Sequence, residues 1–298
     1  MSEGFEVIEA LPGWPGRPSD GHKGTFGTLI VVGGSEGMIG APALSRRAGL
    51  RVGAGLVKVV TEAGVLGSVL TVEPSGTGVG VAAWSGAGME EVLGRVDERR
   101  KAVVAVGPGW GVGDGRGEAL RVVLGSGRRV VVDADGLNVL AGELWKGGTG
   151  GMNPPAKRGE GELVLTPHPG EFGRLAAAAG LDVDADDRVR GAVGLARRLS
   201  GVVVLKGRGT VVSDGRRVYV NQTGNAALAT AGTGDVLTGV IGGLMAQGMG
   251  GFDAAVLGVW GHGRAAEVLV GSGGAGGVLA RELADAVGRV RWGGTPSR

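Results

Sequence analysis

Thr28-Leu29-Ile30-Val31-Val32-Gly33-Gly34 is a run of four large apolar residues behind a threonine, closed by two glycines. Its length and β-branched content are those of a strand, and its lack of polar alternation is that of a strand covered on both faces. The same signature returns along the chain at residues 55–61 (GLVKVVT), 102–107 (AVVAVG), 129–135 (RVVVDAD), 162–168 (ELVLTPH) and 201–207 (GVVVLKG). Segments of helical period stand between them, such as 42–52 (PALSRRAGLRV) and 171–180 (EFGRLAAAAG). Strands alternating with helices predict an α/β fold, a three-layer α/β/α sandwich with a mostly parallel, doubly wound central sheet. Residues 209–221 depart from this pattern, because Asp214-Gly215 between two alternating runs predicts a hairpin. After Gly232 the strands stop, and residues 233–247, 253–270 and 277–290 read as three helices. No shift in composition marks a second domain, so residues 1–298 read as one domain with 1–20 as an N-terminal extension.

Composition narrows the function. The 66 glycines and 11 prolines would by themselves suggest disorder, but 43% hydrophobic residues against 20% charged ones leave ample apolar surface for a core. The 31 basic and 29 acidic residues are scattered, with Arg99-Arg100-Lys101 the longest basic run. A phosphate-tracking stripe for nucleic acid is therefore not expected. The absence of cysteine excludes disulfides, thiolate-ligated zinc, iron–sulfur clusters and thiol nucleophiles. The N-terminal MSEGFEVIEALPGWPG is acidic and lacks an apolar signal core, which predicts a cytoplasmic protein. The longest apolar stretch, residues 236–246, is well short of the roughly 20 residues of a membrane span, so no membrane association is expected.

In an open α/β sheet, ligands bind at the carboxyl ends of the strands, and polar and glycine residues gather there. Gly33-Gly34-Ser35, Gly107-Pro108-Gly109, Thr166-Pro167-His168-Pro169-Gly170-Glu171 and Lys206-Gly207 each follow a strand. Named phosphate fingerprints fail: the dipeptide Gly-Lys of a P-loop occurs nowhere, and Gly107-Pro108-Gly109 is followed three residues on by Val112 rather than glycine. The three histidines, His22, His168 and His262, have no metal-sharing spacing. What survives is Ala231-Gly232-Thr233-Gly234-Asp235 before an apolar helix. Small residues there let backbone N–H groups converge, and the helix N-terminus adds about half a positive charge, a setting suited to phosphate. Asp235 in the first turn suits a base for a substrate hydroxyl and equally a helix cap. The helix dipole should lower its pKa and adjacent phosphate charge should raise it. Asp133 and Asp135 read as a structural N-cap pair with a possible ion role, and Trp110 as either a ring-stacking or a packing residue.

Residues 224–239, Gly-Asn-Ala-Ala-Leu-Ala-Thr-Ala-Gly-Thr-Gly-Asp-Val-Leu-Thr-Gly, resemble the Asn-x-x-Met-Ala-Thr-x-Gly-Thr-Gly-Asp-Val-Leu-x-Gly block of the ribokinase-like NAD(P)H-hydrate dehydratases. Other segments fit that family in the same order: His22-Lys23-Gly24-Thr25-Phe26-Gly27, Gly40-Ala41-Pro42-Ala43-Leu44, residues 51–57, residues 107–111, Asp133-Ala134-Asp135-Gly136-Leu137-Asn138, residues 166–172 and Lys206-Gly207-Arg208-Gly209-Thr210. The match runs from about Arg17 to the C-terminus. Leu228 stands where the family has Met, a volume-conserving swap. Residues 147–160 form a longer connection than the family needs, and the epimerase domain often fused in front is absent, so that activity is expected on another chain.

The resemblance implies a reaction. Hydrated NADH or NADPH is phosphorylated on the ring hydroxyl by ADP or ATP with Mg2+, and phosphate is then eliminated. It also implies roles: Asp235 as base, Gly232 and Gly234 at the transferring phosphoryl group, and Lys206, Gly207, Arg208, Gly209, Thr210 and Gly234 at the adenine nucleotide. Ala41, Gly109, His168 and Asp235 would contact the hydrated dinucleotide; no metal ligand is identified. The alternative for His168 is a structural residue between two prolines, and for Lys206 a solvated strand-end charge. Family habit implies a homotetramer. Two other functions share the motif or its fold: a small-molecule kinase of the hydroxymethylpyrimidine or hydroxyethylthiazole type, and a catalytically silent nucleotide-binding module. The glycine-rich stretches 76–88, 147–151 and 271–277 have no such role and are expected to be mobile loops.

Overall fold

Alternate residues of the apolar runs belong to two different cores. A computed structural model describes residues 4–99, 101–145, 162–184, 186–271 and 276–293. The chain runs β1 (Glu6–Val7), β2 (Thr28–Val32), α1 (Gly40–Arg51), β3 (Leu56–Glu62), α2 (Leu66–Val72), β4 (Thr77–Val81), α3 (Gly86–Val96), β5 (Val103–Val106), α4 (Arg116–Gly125), β6 (Val130–Val132) and α5 (Asp135–Trp145). It continues with β7 (Leu163–Leu165), α6 (Pro169–Ala178), α7 (Arg188–Leu199), β8 (Val202–Leu205), β9 (Val211–Ser213), β10 (Arg217–Val220), α8 (Thr233–Ala246), α9 (Gly251–Val270) and α10 (Ala280–Trp292). Leu29 and Val31 of β2 pack under α1, α8, α9 and α10, whereas Ile30 and Val32 pack under α3 to α7. The period-2 alternation of a strand thus feeds both faces, and three layers result.

Among the described residues the strands form one sheet in the order β1-β10-β9-β8-β7-β6-β5-β2-β3-β4. From β4 across to β8 every neighbour is parallel. The expected hairpin is present, with β9 antiparallel to β10 across the Asp214-Gly215 turn, and β9 is also antiparallel to β8. The chain leaves β2 toward β3 and β4, then returns to the other side of β2 with β5. That reversal makes the carboxyl ends of β2 and β5 a topological switch point, where a crevice opens.

The reading of residues 76–88 as a mobile loop is corrected, because β4 and the start of α3 occupy them. The glycines there clear space. A Cβ on Gly78 would lie 2.7 Å from Leu66 Cδ1, and one on Gly80 2.7 Å from Ala63 Cα, so the turn and α2 lie close over this edge strand. Residues 147–160 and 272–275 lie outside the described residues. The N-terminal segment is tied down. Its β1 pairs with β10, the Arg17 guanidinium sits 3.8 Å over the Phe26 ring, and Trp14 meets Trp260 edge-on. Among the described residues no helix is long and apolar enough to cross a membrane.

Helix α8 is buried along its apolar length, and α1 crosses it at backbone contact. A Cβ on Gly239 would lie 2.0 Å from the Ser45 carbonyl oxygen, and one on Gly243 2.5 Å from Val52 Cγ1. This approach fixes where the first turn of α8 emerges. Gly239→Ala should therefore destabilise the protein by about 2 kcal/mol or more, read as a lowered urea midpoint. An unchanged midpoint would mean that α1 and α8 are free to separate.

Candidate active site

The carboxyl ends of β6, β7 and β8 converge on the first turns of α8. Asp133, directly after β6, has a side chain 1% exposed. Its Oδ1 accepts hydrogen bonds from Thr166 Oγ1 at 2.7 Å and Lys206 Nζ at 2.8 Å, and its Oδ2 accepts one from Thr238 Oγ1 at 2.6 Å. Lys206 Nζ also lies 3.8 Å from Glu171 Oε2. A Cβ on Gly234 would point to this pair, 3.5 Å from Lys206 Nζ and 4.0 Å from Asp133 Oδ2. Asp235 follows at the third position of α8, half-buried, and among the described residues its carboxylate accepts no hydrogen bond.

The start of α8 carries no side-chain cap. Gly232 precedes it at φ +89°, a left-handed conformation that glycine adopts without strain. Thr233 is turned inward: its N–H and hydroxyl both reach the Thr230 carbonyl. Among the described residues the N–H groups of Gly232 and Gly234 have no such acceptor. His262 of α9 supports the turn from behind, with ring Nε2–H donating to the Thr233 carbonyl at 2.9 Å.

Burial, and then the neighbouring Asp133 charge, raise the Asp235 pKa from 3.8 to about 7 against the opposing pull of Lys206. The direction is upward, set by burial and Asp133, and the capping alternative loses ground because no side-chain cap is formed. Burial works to lower the Lys206 pKa, but Asp133 and then Glu171 more than offset it and hold it above its usual value. Burial also raises the Glu171 carboxyl pKa, with Lys206 opposing. Burial lowers the His262 pKa to about 4, so the ring is neutral.

The sequence-predicted residues fall into three groups. Lys206, Gly234 and Asp235 come together around Asp133. Ala41 and Gly109 meet in the β2–β5 crevice, where a Cβ on Gly109 would lie 3.0 Å from Ala41 Cβ. Asp135 spans from that crevice toward Asp235, accepting a 2.7 Å hydrogen bond from the Gly111 N–H. Gly207, Arg208, Gly209 and Thr210 form the β8–β9 turn. The Arg188 guanidinium donates to the carbonyls of Leu205, Lys206, Arg208 and Gly209 there. His168 is tied into the fold, because its Nδ1 caps α6 by accepting from the N–H groups of Gly170 and Glu171, and its Nε2 lies 3.4 Å from Glu171 Oε1. Its other edge is exposed.

Two readings change. Asp133 is not an N-cap, since its carboxylate oxygens are spent on Thr166, Lys206 and Thr238. Trp110 is fully buried and packs edge-on against Trp84, with ring centroids 5.3 Å apart, so it is a packing residue. Sequence reasoning passed over Thr238, Arg188 and His262. Thr238 had a signal, because it stands three residues after Asp235 on the same helix face. Gly33-Gly34-Ser35-Glu36-Gly37 spells the Gly-x-Ser-x-Gly of a nucleophile elbow, yet the buried Ser35 hydroxyl is used on the Gly109 carbonyl at 3.0 Å. No group of three His, Asp or Glu among the described residues is placed to hold a metal ion.

The sheet order, the switch-point crevice and the glycine-led α8 define a ribokinase-like α/β protein. Its profile match is the NAD(P)H-hydrate dehydratase family, over residues 29–289, and the chain belongs to that family. It is 40% identical over 286 residues to the ADP-dependent (S)-NAD(P)H-hydrate dehydratase of Neisseria meningitidis, covering 93% of this chain and 88% of that one. It is 37% identical to the bifunctional NAD(P)H-hydrate repair enzyme of Escherichia coli, covering 95% of this chain but 51% of the relative. In structure it is similar to the ADP/ATP-dependent NAD(P)H-hydrate dehydratase of Bacillus subtilis co-crystallised with ATP and Mg2+. The TM-score is 0.75 and the identity 30%, covering 93% of this chain and 92% of that one. A hydroxyethylthiazole kinase of Pyrococcus horikoshii, 20% identical with a TM-score of 0.57, shares the fold.

The buried neutral His262 gives stability a pH dependence. The unfolded chain takes up a proton there near pH 6.5, whereas the folded chain refuses it until about 4. Stability should be unaffected by this group above pH 6.5 and should fall by about 1.4 kcal/mol per pH unit as pH drops through that window. Urea unfolding of wild type and His262→Gln between about pH 7 and pH 5 reads it. Parallel stability curves would show that His262 titrates normally in the folded state.

Proposed function

We propose that this chain dehydrates the hydrated forms of NADH and NADPH, using ADP or ATP as phosphoryl donor. The ring hydroxyl attacks the terminal phosphoryl group as its proton passes to Asp235 and AMP (from ADP) or ADP (from ATP) leaves; loss of inorganic phosphate together with a proton from the neighbouring ring carbon then restores the ring double bond. The observation that carries this reading is the Asp235 carboxylate. It stands unbonded beside the Gly232 and Gly234 N–H groups and the Lys206 ammonium, with its pKa raised to about 7. A base works best when its pKa lies near the operating pH. Phosphoryl transfer asks little more of a protein than a placed base and donors around the moving charge.

The two outlying groups fit the two substrates. The crevice lined by Ala41 and Gly109 suits the hydrated dinucleotide, with the half-exposed His168 as a further contact on this reading, and the Arg188-braced turn with Lys206 suits the adenine nucleotide. Magnesium supplies charge neutralisation in such transfers. The side chains described here offer it no ligand cluster, and both Asp133 oxygens are already engaged, so the nucleotide phosphates would carry it. An NAD(P)H-hydrate epimerase is the partner activity this reading implies, with a homotetrameric, cytoplasmic enzyme as its setting.

Hydrated NADH incubated with the protein, Mg2+ and ADP or ATP should regain dihydronicotinamide absorbance with release of inorganic phosphate. Asp235→Asn should lower kcat by about 100-fold or more while nucleotide binding is retained. Wild-type turnover should be full above about pH 7 and fall as pH drops through that value, because Asp235 then holds a proton. A stable phosphorylated product would instead identify a small-molecule kinase. Absence of any turnover would identify a silent binding module.

A further inference from the structure

The Asp133–Lys206 pair is built more firmly than a structural ion pair needs to be. Three donors from three elements fix the Asp133 carboxylate: Thr166 after β7, Lys206 after β8 and Thr238 inside α8, at 2.7, 2.8 and 2.6 Å. With a side chain 1% exposed, it has neither room to swing nor an oxygen left unbonded. Burying such a pair costs about as much in desolvation as the attraction returns, so net stability does not account for it. Its location is the informative part. The pair abuts Gly234, where a Cβ would stand 3.5 Å from Nζ and 4.0 Å from Oδ2, and Thr238 anchors it one turn below Asp235 on the same helix.

We propose that Asp133 is a positioning residue of this reaction: it holds the Lys206 ammonium against Gly234, and the pair together sets the pH range over which Asp235 is free to take a proton. This inference rests on the function proposed above. The charged groups that reach Asp235 are Asp133 from β6, Asp135 from α5, Glu171 from α6 and Lys206 from β8. From α9 there is only the neutral His262, engaged with Thr233, and from α1 the Ser45 hydroxyl on the Asp235 carbonyl. Arg47 of α1 is turned away, paired with Glu73 and with Asp285 of α10. The ring of His168 lies against Glu171.

Among the described residues Lys206 is thus the cation set against the carboxylates of Asp133, Asp135, Glu171 and Asp235, and Asp133 decides how much of its charge is felt. With Asp133 in place the ammonium is largely neutralised and Asp235 stays a base of near-neutral pKa. With Asp133 uncharged, the unmasked ammonium would hold Asp235 ionised to lower pH and make it a weaker base. The geometry therefore couples nucleotide contact through Lys206 to proton affinity at Asp235 without either side chain touching the other.

The test compares kcat/KM for hydrated NADH, at saturating ADP and Mg2+, as a function of pH. In Asp133→Asn the acid limb should move about one pH unit or more below that of wild type. In the double variant Asp133→Asn/Lys206→Met, which removes the pair as a unit, the limb should return to between the two. A purely structural Asp133 predicts lower kcat with the limb unmoved in both variants, and that result overturns the inference. If Asp133→Asn alone does not fold, the double variant removes both charges of the pair, with Glu171 still accepting from the His168 N–H at 2.8 Å, and decides between the outcomes: a limb below wild type supports the inference, and coincidence with wild type overturns it. A wild-type protein with no turnover overturns the proposed function itself, and this inference with it. Active wild type with coincident limbs overturns only the role of Asp133.

Discussion

The carboxylate of Asp133 carries hydrogen bonds from β7, β8 and α8 at once, so one buried charge ties the carboxyl edge of the sheet to the helix that bears Asp235. Each contact constrains a different approach. Thr166 holds the neighbouring strand end, Lys206 the next one, and Thr238 sets the depth at which α8 lies against the sheet. Removing one partner of such a pair leaves a buried charge alone, at about 3–5 kcal/mol, whereas removing both can be nearly neutral. The pair therefore acts less as a source of stability than as a spacer that tolerates one arrangement.

Helix α8 reaches that spacer because α1 leaves it no alternative path. Gly239 and Gly243 bring the two backbones together where any side chain would collide, and the apolar residues of α8 are buried on every side. A helix that is apolar all round usually ends in solvent or in a cap. Here its amino end opens into the site, with Gly232 in the left-handed region and Thr233 folded back on Thr230. The electrostatics follow from this exposure. A helix dipole is worth up to about 2 kcal/mol at a partly buried position, about one and a half pKa units. Burial and then the Asp133 charge push the first-turn carboxyl up to about 7.

Much of this was legible in the chain because local rules and the fold agree. The six apolar runs are β2, β3, β5, β6, β7 and β8, and the glycine punctuation after them is the rim of the site. What was not legible depended on distance or on negative space. Lys206 and Asp133 are 73 residues apart, so an Asp next to a helix start read as a cap. Gly78 and Gly80 read as loop because a strand rarely carries two glycines; they are there to admit Leu66 and Ala63, which no local rule shows. The two-residue β1 is too short for any periodicity, and it exists only because the edge of β10 is available. Arg188 opens α7, and nothing in its local sequence marks it. Its role appears only when four carbonyls of the β8–β9 turn fold around it.

The charge balance of the site explains its glycines. Four carboxylates and one lysine make a poor welcome for a polyphosphate if side chains alone are counted. Backbone N–H groups carry no net charge that a carboxylate could neutralise by pairing, and they cannot lose a proton at working pH. They are therefore the donors that a carboxylate-rich site can keep free. Gly232 and Gly234 expose them by having no side chain to interpose, and Gly234 does so in the gap that the Asp133–Lys206 pair borders. A Cβ at 234 would meet Lys206 Nζ and Asp133 Oδ2 at ordinary contact distance, 3.5 and 4.0 Å, and so would line that gap. On the proposed reading, the site keeps its acids to tune one base and leaves the moving phosphoryl group to the backbone.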